Sequence, residues 1–489
     1  MVMNRLGYSE GENISMGKNR NNIALRLFFI LLMLLALTIS LWMTADIHNL
    51  ESNIYVVTTL AILIIGFILY STYNYTKRLD CYMIFMSLSF IFMFGQHLLL
   101  LMQMPVENMW LTGRTISNKA IVNTSYFTIV VYILMHMGYI VSIERRPRML
   151  NLPNPMRAKQ SRGSLMHMGL IVFCVVLLPT LYIMYRNMIT TFVLGYAARL
   201  EEYQESGVSN LPSILAGYMT PALVAMFVAK QKKTIWPIVL IAIYLVLYVL
   251  SGSRLGAFCL LCGVFYANFV IHANFNKKTV VFMLIAAFFL AFVFSFISHW
   301  RDSELGSENI ITTLWKNNPV TEILNETGYT FMATAAVFEH CPSSEPFLYG
   351  KSYWSGIAYI LPNGMTDGYY LKTPDVDRVF SPYITNYGGI GSSFIAEAFY
   401  NFGYLSLPLF LIFGFLFGIL SLKIENSVLR ENYPKIFFYI GIFCVIIFYV
   451  RSDTRTFFRN FMWEYVPMYL YCKITDNIHA KRQKLLLHK

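Results

Sequence analysis

Apolar runs of about 18 residues or more recur along the chain, separated by short polar stretches, and each is long enough to cross a hydrocarbon layer of roughly 30 Å as a helix. They predict spans near 27–44, 54–72, 81–104, 125–143, 165–185, 210–229, 235–250, 256–273, 279–298, 404–422, 436–450 and 458–472. The expected fold class is an all-α polytopic membrane protein with about twelve transmembrane helices and one large outward loop. Four parts follow: nine helices with short loops over 1–298, the large loop over 299–403, three helices over 404–472, and a basic tail over 473–489. The loop holds Trp315, Tyr353, Trp354, Tyr359, Tyr369, Tyr370, Tyr383 and Tyr387 among glycines and prolines, a mixture that folds, whereas a disordered linker would be poorer in aromatics. Ile390 to Phe402 is amphipathic and predicts a helix resting on the membrane surface.

Composition agrees with this pattern. Apolar residues make up 56% of the 489 and charged residues 13%, too few to coat a soluble surface. The +12 net charge could suggest nucleic acid, but the basic residues sit in short clusters between apolar runs and form no basic face, so nucleic-acid binding is excluded. The densest cluster, Arg145, Arg146, Arg148, Arg157, Lys159 and Arg162, marks one loop as cytoplasmic. Lys230, Lys232 and Lys233 mark a second, and Lys277 and Lys278 a third. Arg5, Lys18, Arg20 and Arg26 at the front, with Lys481, Arg482 and Lys484 at the back, place both termini inside. The polar first stretch and the long apolar run after it require no cleavable leader. Six cysteines lie in or beside apolar runs and only Cys341 in an outward loop, so no external disulfide is expected within the chain. Cys259 and Cys262 form a CxxC inside an apolar run, where packing is the better reading than a redox or zinc site.

The outward segments keep arginines at their membrane edges, against the positive-inside bias, and something must compensate for them. Arg199, Arg254, Arg301, Arg378, Arg451, Arg455 and Arg459 are of this kind; Arg254 closes the very tight turn Ser251-Gly252-Ser253-Arg254. A guanidinium grips phosphate oxygens through two parallel hydrogen bonds, and a pyrophosphate leaving group needs such a clamp as its charge grows. Pairing with loop carboxylates or anionic lipid is the alternative for each. Glu397, set among aromatics, is a candidate to deprotonate a sugar hydroxyl with a raised pKa, against an arginine-paired surface glutamate. Asp453, between Arg451 and Arg455, suggests simple charge pairing. Asp375-Val376-Asp377 matches the metal-binding DxD of nucleotide-sugar transferases, a short pattern that arises often by chance. Asp46 and Glu51 share one short outward turn, and His97, His136 and Gln96 fall inside spans, where hydrogen bonding to a neighbouring helix competes with function. HExxH, Walker and GxSxG patterns are absent, so metal hydrolysis, ATP-driven pumping and serine hydrolysis lack support.

The Ser251-Gly252-Ser253-Arg254 turn resembles the glycine-serine-arginine signature of Wzy-type O-antigen and oligosaccharide repeat-unit polymerases. So does the stretch from Gly388-Gly389-Ile390-Gly391 to Glu397 and Asn401-Phe402-Gly403, and the order of spans and loop is similar over nearly the full chain. Some members carry two loops with Arg followed by Gly eleven residues later; here Arg378 and Gly389 meet that spacing, but Arg199, Arg254 and Arg301 do not. The resemblance implies a glycosyltransferase of the bacterial cytoplasmic (inner) membrane, related to the GT-C class. It would move a growing chain from one undecaprenyl-pyrophosphate carrier onto a new lipid-linked repeat unit, building O-antigen, capsule or exopolysaccharide without metal or other cofactor. In that frame Arg254, Arg301 and Arg199 clamp pyrophosphate and Glu397 activates the acceptor, while Arg378, Tyr383, Asn401 and Arg451 hold substrate. Partners would be the undecaprenyl-pyrophosphate-linked oligosaccharide, membrane lipids, a chain-length regulator and a flippase. Two alternatives stay open: a flippase for the lipid-linked unit, which would show two similar halves, and an O-antigen ligase, which shares the chemistry.

Overall fold

The computed structural model describes residues 15–106, 116–144, 155–190, 211–231, 234–251, 254–271, 318–361, 365, 372–384 and 391–487. Every regular element among them is helical. Among the described residues, eight helical stretches are long and apolar enough to cross a membrane: Ile23–Met43, Leu50–Thr76, Cys81–Leu101, Asn118–Ile143, Ala158–Ile189, Leu211–Ala229, Phe394–Leu429 and Tyr433–Arg451. Two shorter apolar helices, Trp236–Leu250 and Gly256–Ile271, fall where two further spans are expected. The expected span at 279–298 lies outside the described residues. That at 458–472 falls on Thr454–Asn460, the π-helix Phe461–Tyr465 and the start of Val466–Leu487.

Two compact units divide the chain. The first comprises 1–148, 317–422 and 449–458. Its first four helices are α1 (Ser15–Met43), α2 (Leu50–Thr76), α3 (Cys81–Leu101) and α4 (Asn118–Ile143). The second comprises 149–316, 423–448 and 459–489. It holds α5 (Pro155–Ile189), α6 (Leu211–Gly217), α7 (Met219–Ala229), α8 (Trp236–Leu250) and α9 (Arg254–Ile271).

The stretch expected as a large loop contributes much of the first unit's core. Asn318 caps α10 (Pro319–His340) by accepting from the Val320 N–H at 3.0 Å, and Pro319 supplies a first-turn φ suited to a helix. α10 lies along α3 at close range because small residues face each other: a Cβ on Gly95 would meet the Leu324 carbonyl, and one on Gly328 would meet Gln96. Gln96 donates to the Asn325 carbonyl at 3.2 Å, and His97 meets Phe331 edge-on at 4.4 Å. His97 also bonds Ser125 at 3.0 Å, and His136 bonds Ser71 at 2.8 Å, so both intramembrane histidines have hydrogen-bonded neighbours on other helices.

Beyond α10 come α11 (Lys351–Ala358), α12 (Val376–Ile384) and α13 (Phe394–Phe402), then α14 (Leu407–Leu429). α13 forms where the amphipathic helix is expected, with the Ser393 hydroxyl accepting from the Ala396 N–H at 2.9 Å. It does not rest on a surface: Phe394 through Asn401 are all buried among protein atoms. The helix with a surface stripe is α11, whose Lys351, Trp354 and Ile357 are exposed while Ser352, Ser355 and Gly356 face inward. α14 crosses α4 at backbone contact, since Cβ atoms on Gly138 or Gly414 would overlap the opposite helix's carbonyls; small residues allow this approach in membrane helices.

In the second unit the same device recurs, with Gly169 of α5 against α7. Gly263 of α9 likewise meets Cys444 of α15 (Tyr433–Phe448). Cys259, one turn before Gly263, is buried in this packing. The chain ends in α16 (Thr454–Asn460), the π-helix Phe461–Tyr465 and α17 (Val466–Leu487). Glu464 of the π-helix abuts Gly217, at the break between α6 and α7.

Candidate functional site

A cluster of charged residues forms in the first unit where the start of α12, Gly391 and the turn leading into α16 meet. Asp453 caps α16, its Oδ1 accepting from the Thr456 N–H at 3.0 Å and hydroxyl at 2.8 Å. Its Oδ2 accepts from Arg455 Nε and Nη2, both at 2.8 Å. Arg455 Nη2 also reaches Asp375 Oδ2 at 2.5 Å, and with only 11% of its side chain exposed it ties α16 to α12. Asp375 caps α12 through the Arg378 N–H at 2.9 Å, and the Arg378 guanidinium, half-exposed, meets the same carboxylate at 3.4 Å.

Asp377 differs from these. Both its bonds fall on one oxygen, Oδ1, from Ser381 Oγ at 2.9 Å and the Gly391 N–H at 2.8 Å. Burial pushes its carboxyl above the ordinary range, while those two bonds and the nearby Arg451 charge pull it back. Gly391 has φ +80°, a backbone that favours glycine, and a Cβ there would sit 3.2 Å from Arg451 Cγ and 3.4 Å from its Nε. Arg451, half-buried on the 3₁₀ turn Tyr449–Arg451, therefore lies across this glycine and beside Asp377.

Glu397 sits behind the cluster, only 2% exposed. Oε1 accepts from Ser352 Oγ at 2.7 Å. Oε2 accepts from Tyr449 OH and the Thr454 N–H, both at 2.9 Å, and from Thr454 Oγ1 at 2.7 Å. Four donors thus surround its two carboxyl oxygens. Asn401, one turn on, donates to Ser352 Oγ and the Glu397 carbonyl, each at 2.7 Å, and accepts from the Gly350 N–H at 2.9 Å. These two buried residues bind α11, α13 and the Tyr449–Thr454 turn into one network.

The residues singled out from sequence are therefore only partly brought together. Arg378 and Arg451 join the cluster, whereas Glu397 and Asn401 form the layer beneath it. Tyr383 stands aside on α12, stacked on His340 at 3.8 Å with its hydroxyl toward Glu345 at 3.4 Å. Arg199 and Arg301 lie outside the described residues; Arg254 begins α9, but its side chain is likewise outside them. Sequence reasoning missed the joining role of Arg455, Thr454, Tyr449 and Ser352. The signal available was the density of the run Arg451-Ser452-Asp453-Thr454-Arg455, but no spacing rule connects it to Asp375 or Ser352. Asp375 and Asp377 each hold protein partners, so the DxD pattern here builds the cluster, and no metal-holding group of three His, Cys, Asp or Glu occurs among the described residues.

The family model for the O-antigen polysaccharide polymerase Wzy matches residues 25–483, nearly the whole chain. No curated protein and no solved structure matches it. A match of that extent, on an all-helical chain rich in membrane-length helices, settles class and activity together: the chain belongs to the O-antigen polysaccharide polymerase Wzy family, and is a multi-pass membrane glycosyltransferase that polymerises oligosaccharide repeat units.

Proposed function

We propose that this polymerase works on undecaprenyl-pyrophosphate-linked repeat units at the outer face of the bacterial inner membrane. Both termini are cytoplasmic, about twelve spans cross the bilayer, and the 299–403 segment is outward; the support is the distribution of Lys and Arg along the chain. The acceptor sugar's hydroxyl oxygen attacks the donor's anomeric carbon. The bond from that carbon to the pyrophosphate oxygen breaks, and the carrier leaves as undecaprenyl pyrophosphate.

Within the cluster, Arg451 and Arg378 stabilise the departing pyrophosphate and Asp377 takes the hydroxyl proton. Arg199, Arg254 and Arg301 complete the clamp, on the charge argument that singled them out. Tyr383 and Asn401 shape the sugar site, Asn401 from beneath. Glu397 acts as a positioning residue, holding Thr454 and thereby the Arg451–Arg455 turn. The observation that carries this reading is Arg451 lying across Gly391 beside Asp377, a cation and a carboxylate of raised pKa on one edge. A flippase and a chain-length regulator would act before and beside it.

Deleting the gene and resolving the surface glycan on a gel tests the function. Collapse of the ladder to core bearing a single repeat unit is expected. Free polymer left on its carrier would make the protein a ligase, and loss of every repeat unit would make it a transporter. Arg451→Ala and Arg254→Ala, each complementing the deletion, are expected to leave the single-unit band with normal protein in the membrane. Full ladders from both would sink the arginine clamp.

A further inference from the structure

The second unit contains a cavity of about 490 Å³, lined by residues that the chemistry above does not use. One wall is the first turns of α5, where Lys159, Arg162, Gly163 and Met166 share a helix face. The others are Ala229 at the end of α7, Gln231 and Thr234 after it, Trp236 at the start of α8, and Glu431 and Tyr433 at the start of α15. The cavity thus opens where four apolar helices begin or end, and the ends of membrane-length helices are where headgroups meet protein. It is also on the side that the basic clusters mark.

Its chemistry is mixed rather than merely basic. Arg162 is fixed in place: Nε donates to the Ala229 carbonyl at 2.9 Å, Nη2 donates to the Lys230 carbonyl, and the guanidinium stands 5.4 Å over the Tyr433 ring. Lys159, one turn before it, is exposed, its long stem suited to reaching the boundary. Glu431 adds one carboxylate opposite these two cations, and the indole of Trp236 adds an aromatic face. Gly163 keeps the floor open, since a Cβ there would meet nothing within 4 Å.

We propose that this cavity binds the headgroup of a bilayer aminophospholipid. The phosphodiester sits on Lys159 and Arg162, the ammonium faces Glu431 and Trp236, and the acyl chains run down between the spans. Basic pockets between membrane helices hold anionic headgroups in this way, and the carboxylate turns the preference toward a headgroup that also carries an amine. The assignment stands independently of the reading of the acid–arginine cluster.

Delipidated full-length protein in detergent, mixed with phosphatidylethanolamine, phosphatidylglycerol or phosphatidylcholine, tests this by native mass spectrometry. Phosphatidylethanolamine is expected to be retained at several times the occupancy of the other two. Gly163→Leu, which fills the cavity while favouring the helix, and Lys159→Ala should each lower that occupancy about five-fold. Glu431→Gln should erase the preference over phosphatidylglycerol. The lipid-free melting temperature of each variant shows whether it remains folded. Equal occupancy in wild type and a folded Gly163→Leu protein would overturn the site, and equal retention of all three lipids would overturn its chemistry. Displacement of the lipid by millimolar O-phosphoethanolamine would reassign it to a soluble phosphate monoester.

Discussion

Arg451, Asp377 and Gly391 illustrate how little of a site is carried by any residue alone. Arg451 resembles half a dozen other arginines of the sequence until Gly391, with its left-handed backbone, lets it pass close by, near enough for its charge to act on Asp377. Gly391→Val should therefore fail twice, through backbone strain of about 1–2 kcal/mol and by pushing Arg451 away; loss of the glycan ladder with protein still in the membrane is the expected readout. The raised pKa of Asp377 has a sign that can be checked. A general base must be ionised, so polymerisation in vesicles should rise with pH through a midpoint above the ordinary carboxylate range, and Asp377→Asn should lower the rate and flatten that limb. A midpoint unchanged in the variant would remove Asp377 from the chemistry. Glu397 makes the opposite case. Chosen from sequence as a base, it is surrounded by four donors, and Glu397→Ala would strand them at about 1–3 kcal/mol each. Glu397→Gln, with its amide oxygen at the Oε2 position, keeps three of the four bonds and should retain polymerisation within several fold, whereas a catalytic base would lose it outright.

Among the elements, α10 and α11 depart most from what hydropathy suggests. α10 is rich in Thr and small residues, so no apolar run announces it, yet it packs on α3 and α4 because those residues let backbones approach. α11 is short and joins an exposed stripe of Lys351, Trp354 and Ile357 to an inner face carrying Ser352 and Gly356. A Cβ on Gly356 would sit 3.0 Å from Thr454 Cγ2 and 3.2 Å from the Thr454 carbonyl. Gly356→Leu should thus displace the two Thr454 donors from Glu397 and abolish polymerisation, while the smaller Gly356→Ala should reduce it only in part. The α4–α14 crossing is stricter, since the obstacle is backbone. Gly414→Leu should lower the amount of folded protein in the membrane itself, read by quantifying the chain rather than its product.

At the scale of the whole molecule, the balance of Lys and Arg makes a topology prediction that reporter fusions can check. A fusion after Leu361 should report the outer face, and fusions near Lys159 and after Lys481 the cytoplasm. One span more or fewer would invert part of this pattern. The sequence by itself determined the class, the positions of most spans, the family and the idea of an outward arginine site. These properties are additive along the chain: hydropathy sums over a window, and charge bias sums over a loop. Only the tertiary structure decided that α13 is buried rather than superficial, that Glu397 is a hub, and that Arg455 joins Asp375 to Asp453 across 78 positions of chain (453 − 375). Such pairings depend on which distant backbones come within about 3 Å of one another, and local hydropathy carries no record of that.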